Sequence, residues 1–521
     1  MAPSGSIVDV TQGHLAINIL RLAWPSMMQA ILSNAYSVAD FFFVGHIKDP
    51  ELAASGTSAI AASVGLTICL FGVHNIVPAG CAAYSAQFKG ANDRTSLGLT
   101  FVAAFWSCLV LSSITAIFGL VLIGEIVSIT NSTMQVQAEM QKFLGIILLA
   151  SPAFGLLLLV DGFFKSNGNT VFPLQLEVCS LCINVLLNYF FVWRLGWGIS
   201  GSACASALSR FLPALFGMYR ILNGHLNAIE VKLLVYDPTL LSRALAMMRL
   251  GIFQSASDWL YGIVFTIMIR LAGVLGTAQQ AGLGAGMRGL EWLSFCTSEG
   301  FMVASLTSVG NLIGAGLQRR ANLAALLSGA MSALGGTLTG LPFIFWSHQI
   351  AALLSNDAEI VHFCARYIRL MGMVSFATGF EFSSFGAFIG AGKARDVFLT
   401  NGSCNIARVP LCVLCIFGRA NFFRGLAFCF GLGSTHGLRL YGNFDCICWV
   451  IMFTAVIKAF LFFTWLNLRW FSERYFLDST LLAVKAIVAD AAEIQMRTLS
   501  QPEKHDQAYT SLPLSSDSEH G

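Results

Sequence analysis

Residues 21–45, "RLAWPSMMQAILSNAYSVADFFFVG", have a counterpart in residues 249–273, "RLGIFQSASDWLYGIVFTIMIRLAG". Arg21 aligns with Arg249 and Gly45 with Gly273 at one offset (249 − 21 = 273 − 45 = 228). Each run is long enough to cross a bilayer, which takes about 20 apolar residues. Each also carries an aspartate, Asp40 or Asp258. An unpaired charge in hydrocarbon costs about 3 kcal/mol or more, so both carboxylates must cap a helix end or face something inside the protein. Two further blocks keep nearly the same spacing. "QFKGAND" (87–93) matches "NLIGAGL" (311–317), and "GFFKSNG" (162–168) matches "GAFIGAG" (386–392), both at 224 (314 − 90 = 386 − 162 = 224).

The composition agrees with a membrane protein. Of 521 residues, 56% are hydrophobic and 11% charged, against about 25% charged in soluble domains. About twelve apolar spans follow from hydropathy and turn residues, centred near Ala30, Gly65, Leu109, Leu149, Cys182, Leu212, Gly262, Ser294, Leu334, Val374, Val413 and Ile457. The fold class is therefore an all-α polytopic membrane protein with about 12 transmembrane helices in two six-helix lobes. Six spans per half is an even number, so the halves share one orientation and form a parallel pseudo-two-fold repeat, as secondary transporters do. The expected divisions are a cytosolic N-terminus (1–14), an N-terminal lobe (15–222), a cytosolic linker (223–242), a C-terminal lobe (243–472) and a polar cytosolic tail (473–521), largely disordered.

Lys/Arg counts put the N-terminus inside. The inner loops then hold Lys89, Arg94, Lys165, Arg220, Lys232, Arg243, Arg319, Arg320, Lys393 and Arg395, while Arg419, Arg424 and Arg439 fall on the outer side. Asn131-Ser132-Thr133 is a glycosylation sequon on an outer loop. The first residues lack a basic region followed by an apolar one, so no cleaved signal peptide is expected. The Cys179/Cys182 and Cys412/Cys415 pairs lie within apolar spans and read as buried structural cysteines, with no metal site expected.

Several polar residues interrupt the apolar spans. Glu177, Asn184 and Asn188 are spaced i, i+7, i+11, which puts them on one helical face. Ser206 adds a hydroxyl in the next span. Asp258 precedes Trp259 and stands near Tyr261, and an acid beside aromatic rings suits an organic cation. Glu291 and Arg288 stand three apart, the spacing of a simple ion pair. His74 reads as a hydrogen-bonded core residue. Pro25 is a candidate bend in the first span.

The sequence resembles the multidrug and toxic compound extrusion (MATE) family of cation-coupled antiporters. The resemblance rests on "LAWPSMMQAILSNAYSVADFFFVGHI", "LAASG", "GFFKSNGNTVFP", "GISGSACASA", "VGNLIGAG", and "GAFIGAGKARD" followed by "NIARVP", in order from about residue 14 to 470. It implies two six-helix lobes forming a V, and export of organic, often cationic, compounds driven by inward movement of protons or sodium. It carries Asp40, Asn184, Asn188 and Ser206 onto a cation site in the N-terminal lobe. Some members have an acid where this chain has Asn188, and Glu177 is the candidate substitute. Asp258 stands where related eukaryotic members have a glutamate before Trp-Trp. Glu381 lies about one turn from a family acid in the tenth span. Arg408 resembles a family Arg-x-Pro feature and is expected to be structural, a partner for a nearby acid. Bending at Pro25 is linked in the family to the transport cycle. The stretch from Phe417 to Asp445 departs from the pattern.

The leading expectation is export of organic cations in exchange for protons or sodium. The expected substrate-binding residues are Asp258, Trp259, Tyr261, Glu291 and Glu381. The same fold exporting lipid-linked precursors or organic anions is the alternative, and it wants a basic cavity. The mid-membrane residues Asp40, Glu177, Asp258, Glu291 and Glu381, against Arg288 and Arg408, favour cations. A membrane-embedded prenyltransferase is disfavoured because no span carries a D-x-x-x-D cluster, and no ATP-binding loop occurs. No enzymatic activity, no cofactor beyond the coupling ion and no nucleic-acid partner is expected. The partners are a small organic substrate and membrane lipids, and the protein is expected to be a monomer. The sequon and the "YTSL" motif in the tail suit a eukaryotic plasma membrane or acidic organelle.

Overall fold

The computed structural model describes residues 7–128, 130, 133–224, 231–234, 237–287, 291–355, 357–430 and 440–470, with backbone alone at 37, 291–294 and 467–470. The sequon residue Asn131, Arg288 and the tail lie outside them. The N-terminal half runs α1 (Leu15–Gly45), α2 (Pro50–Gly90), α3 (Arg94–Val121), α4 (Ile123–Ser128), α5 (Met134–Leu149), α6 (Ser151–Ser166), α7 (Val171–Asn188) and α8 (Gly198–Leu222). The C-terminal half runs α9 (Leu240–Leu275), α10 (Thr277–Ala285), α11 (Glu291–Gly314), α12 (Gln318–Phe345), α13 (Ser347–Ala352), α14 (Ala358–Gly390), α15 (Ala394–Phe417), α16 (Phe422–Cys429) and α17 (Phe444–Trp470).

The offset of 224 governs the middle of each half. Added to α3, α4 and the pair α5–α6, it gives 318–345, 347–352 and 358–390, which are the bounds of α12, α13 and α14. Helix starts are specified locally by caps at equivalent places. Thr133 accepts from Val136 N–H, and Asp357, 224 residues later, accepts from Glu359 and Ile360 N–H. Pro152 in the first turn of α6 breaks one long helix into two bent by 53°, whereas its image α14 is continuous. Between α15 and α17 the offset rises from 224 to 246 (444 − 198 = 246), and the added chain includes α16. It is anchored where Arg366 pairs with Asp445 at 2.5 Å and Tyr441 N–H donates to Ile416 O at 2.8 Å.

Nine helices among the described residues are long and apolar enough to cross a membrane, and the bent pair α5–α6 makes ten. The other two of the twelve expected spans fall at α8 and α11, helices of 25 and 24 residues. Lipid-facing stripes repeat as well. Val110, Ile114, Ile117 and Val121 on α3 are exposed, and so are their images Leu334, Leu338, Leu341 and Phe345 on α12. Large exposed apolar stripes of this kind mark a surface made for something other than water.

The lobes meet at the ends that carry the inner-loop basic residues. A Cβ added to Gly90 would stand 1.8 Å from Asn311 O, and one added to Gly314 would stand 1.9 Å from Gln87 O. These are the same contact seen twice (314 − 90 = 311 − 87 = 224). The amides of the same residues cross between lobes: Gln87 Nε2 donates to Gly390 O at 2.9 Å and Asn311 Nδ2 to Ser166 O at 3.2 Å. Further along, Gly251 lies against Ile76 O on α2, and Gly300 against Ala23 O and Met27 on α1, two turns or fewer from Pro25. Helix α1 runs unbroken through Pro25. The lobes are thus closed at the end that carries Lys89, Arg94, Arg319 and Arg320.

Gly90→Ala and Gly314→Ala are expected to destabilise the purified protein by about 1–3 kcal/mol in thermal unfolding, because backbone must move to admit each methyl. Gly65→Ala on the same α2 meets nothing within 4 Å and is expected to cause no loss.

Candidate cation and substrate sites

Asp40 lies in the last turns of α1 and is buried at 7% exposure. Asn184 and Asn188 are one turn apart on α7, and Ser206 comes from α8. Asp40 Oδ1 accepts from Asn188 Nδ2 at 2.8 Å and from Asn184 Nδ2 at 3.2 Å, while Oδ2 accepts from Ser206 Oγ at 2.5 Å. Asn188 Nδ2 also donates to Asn184 Oδ1 at 3.1 Å, and Asn184 Nδ2 to Ser206 Oγ at 3.2 Å. Asn188 Oδ1 is buried without a partner. Among the described residues no cationic side chain comes within ion-pair distance of Asp40. The α-helix of α7 gives way to a π-helical turn, Tyr189–Arg194, directly after Asn188, a feature often found at functional sites. The four residues carried over by resemblance therefore form one cluster around one carboxylate.

A second polar layer lies beneath it. The Tyr36 hydroxyl bonds Ser209, Ser180 Oγ reaches Tyr36 at 3.3 Å, and the Arg210 guanidinium stacks over the Tyr36 ring at 4.2 Å and Phe154 at 4.8 Å. Arg210 was visible in sequence as a lone base inside α8, but what it faces came only from the packing. His74 is buried and stacked on Phe154, with Nε2 lacking a partner, so the expected hydrogen bond at that nitrogen is not made.

Glu177 is not part of the Asp40 cluster. Seven residues along a helix is about 10 Å of rise, so sharing a face with Asn184 does not bring it to the same depth. Its neighbours are Gln29, Asp161, Lys165 and Arg210. Gln29 Nε2 donates to Asp161 Oδ1 at 2.7 Å, and Lys165 pairs with Asp161 Oδ2 at 2.7 Å. Glu299 on α11 lies in the field of the same Lys165 and Asp161, and Asp258 on α9 in the field of Glu299. Asp258 is exposed, and Glu177 and Glu299 half-buried. Three carboxylates from both lobes, Asp161, Glu177 and Glu299, thus face Lys165, and Asp258 faces Glu299. Trp259 crosses the cleft, donating from Nε1 to Cys69 O on α2 at 3.2 Å. Tyr261 sits near Phe265, with ring centroids 6.3 Å apart. The Glu291 side chain lies outside the described residues.

Glu381 is not in the cleft with Asp258. It is buried inside the C-terminal lobe and ion-paired with Lys458 Nζ at 2.6 Å. Arg408, expected to partner an acid, instead donates from Nε to Thr454 Oγ1 at 2.7 Å. Nothing in the sequence singles out Lys458: a single lysine in the apolar run of α17 shows no partner there, because Glu381 is 77 residues away.

The MatE family model matches residues 25–190 and 251–414, one block in each lobe and more than half of the chain. This chain belongs to the MatE family. It is similar to an uncharacterised transporter of Schizosaccharomyces pombe, 23% identical over 384 residues (72% of this chain, 69% of that one). It is similar too to a probable multidrug resistance protein, NorM, of Thermotoga maritima, 22% identical over 409 residues (75% and 84%). An outward-facing structure of a multidrug resistance MATE transporter superposes with a TM-score of 0.77 at 16% identity, over 90% of this chain and 99% of that one. The fold is that of MATE transporters, and the protein is a multi-pass integral membrane transporter.

Ser206→Ala is expected to leave Asp40 Oδ2 without its donor and to cost about 1–3 kcal/mol in thermal unfolding, the usual penalty for an unsatisfied buried group. Ser206→Thr, which keeps the hydroxyl, is expected to cost less.

Proposed function

We propose that the protein is a secondary active antiporter that exports organic cations, xenobiotic or metabolic, in exchange for protons or sodium by alternating access. The observation that carries this reading is the Asp40 carboxylate, buried in α1 and held by neutral donors only. A buried carboxylate with no ion-pair partner, in the field of the more distant Arg210, invites a mobile cation, because direct neutralisation removes the remaining cost of the charge. The carboxylate oxygens, the Asn184 and Asn188 carbonyls and the Ser206 hydroxyl suit sodium, and the carboxylate alone suits a proton.

The cargo reading rests on the cleft. Asp258, Glu177, Glu299 and Asp161 against Lys165 and Arg210 make a net negative surface between the lobes. Trp259 and Tyr261 add aromatic faces that attract organic cations. The names of relatives in multidrug resistance and export support this class of cargo. Alternating access follows from the inner contact: with the cytosolic side shut, a cation from outside reaches Asp40, and opening inward requires the α2–α11 contacts to part. Exchange of one proton for one monovalent organic cation is electroneutral, so each pH unit supports about a tenfold gradient of cargo. Pro25, beside the α1–α11 contact, is the proposed bending point. We further propose a monomer in the plasma membrane or an acidic organelle of a eukaryote, where such gradients exist, without a cofactor.

The test is efflux of a fluorescent organic cation from proteoliposomes under a pH gradient or a sodium gradient imposed separately. One gradient is expected to drive efflux, Asp40→Asn to lower the driven rate at least about tenfold, and Asp258→Asn to raise the KM for cargo. No gradient-driven efflux across several cations would overturn the reading in favour of lipid-linked or anionic cargo.

A further inference from the structure

The C-terminal lobe contains a second cluster with the same parts as the Asp40 cluster. Each has one carboxylate, two asparagines one turn apart on the fifth helix of its lobe, and one hydroxyl from the sixth. In the first these are Asp40, Asn184, Asn188 and Ser206. In the second they are Glu381, Asn401 and Asn405 from α14 and α15, with Thr454 on α17 one turn from Lys458 and bonded to Arg408 Nε, not to the carboxylate. The asparagine pairs match in geometry: Asn188 Nδ2 donates to Asn184 Oδ1 at 3.1 Å, and Asn405 Nδ2 to Asn401 Oδ1 at 3.0 Å. In both pairs the second asparagine keeps a buried Oδ1 without a partner. The difference lies at the centre. Lys458 Nζ sits 2.6 Å from Glu381 Oε1 and 3.3 Å from Asn401 Oδ1, and both charged side chains are buried.

We propose that the Lys458 ammonium is a tethered cation occupying a second cation site of this transporter. A carboxylate and an amide oxygen surround it, the ligand types that a sodium ion takes, while a proton would need the carboxylate alone. The other groups facing it are Arg408 and Cys404. Arg408 adds a second positive charge to the one carboxylate, so a mobile cation is repelled while Lys458 is in place. The C-terminal cluster is thereby self-neutralised, and of the two buried clusters only that of Asp40 is left to couple to an external cation. This rests on the reading of the Asp40 cluster as a cation site.

The experiment removes the tether in an Asp40→Asn background, so that the first site contributes nothing. Purified protein in lipid nanodiscs is assayed for bound radioactive sodium and for a protonated-carboxyl infrared band. Asp40→Asn alone is expected to bind no sodium and to set the baseline of the carboxyl band, to which the remaining acids contribute. Asp40→Asn/Lys458→Met is expected to gain one cation equivalent, sodium or proton, which disappears when Glu381→Gln is added. Lys458→Arg, which keeps the charge, is expected to gain none. No gain in the Lys458→Met protein, with elution and melting matching those of the Glu381→Gln/Lys458→Met protein, overturns the proposal, including the case in which Arg408 swings onto Glu381. Should Lys458→Met not fold, Lys458→Gln is the second variant and the same two outcomes decide. Failure of the Asp40 reading shows separately, as no difference between wild type and Asp40→Asn.

Discussion

The doubled contact between α2 and α11 organises the molecule. Gly90 lies on the backbone of Asn311 and Gly314 on the backbone of Gln87, while the two amides reach past each other to the ends of α14 and α6. Helices in lipid gain little from burying apolar surface against one another, so small residues and interhelical hydrogen bonds do the joining. Here both devices fall on the same four positions, at the inner end of each lobe. The cleft above them owes its shape to that placement. Glu299 from one lobe faces Asp161 and Lys165 from the other, and the lobes are pinned below them.

The two lobes share a backbone plan and differ in chemistry. The images of Asp40 and Asn188 are Met268 and Cys412 (268 − 40 = 228, 412 − 188 = 224), and these touch each other, Cys412 Sγ lying 3.6 Å from Met268 Sδ. The contact survives the repeat while its polarity does not. The image of Asn184 is Arg408 (408 − 184 = 224), which turns to α17 instead. Among the described residues Asp40 has no ion-pair partner, whereas Glu381 is paired with Lys458.

Glu177 and Glu381 show how far helical spacing carries an argument. Spacing assigns a residue to a face, and Glu177 does share a face with Asn184 and Asn188. It does not assign depth relative to other helices, and the α1 residue beside Glu177 is Gln29, not Asp40. Glu381 lies within reach of Lys458 on α17 and not beside Asp258. Arg210 and Lys458 were each legible as a base in an apolar run. What each faces depends on helices far off in the chain.

By itself the sequence determined the membrane-spanning helical class, the parallel repeat and the equivalence of positions between lobes. Hydropathy, caps and recurring glycines are local properties, and a bilayer leaves a chain of this composition few other ways to satisfy its backbone. The grouping of Asp40 with two amides and a hydroxyl was legible through family likeness. The tertiary structure alone decided which charges are paired, that the cleft acids come from both lobes, and that Lys458 fills the C-terminal cluster. Pairing energies act over a few ångströms between residues distant in sequence, so they are set only once the helices are packed.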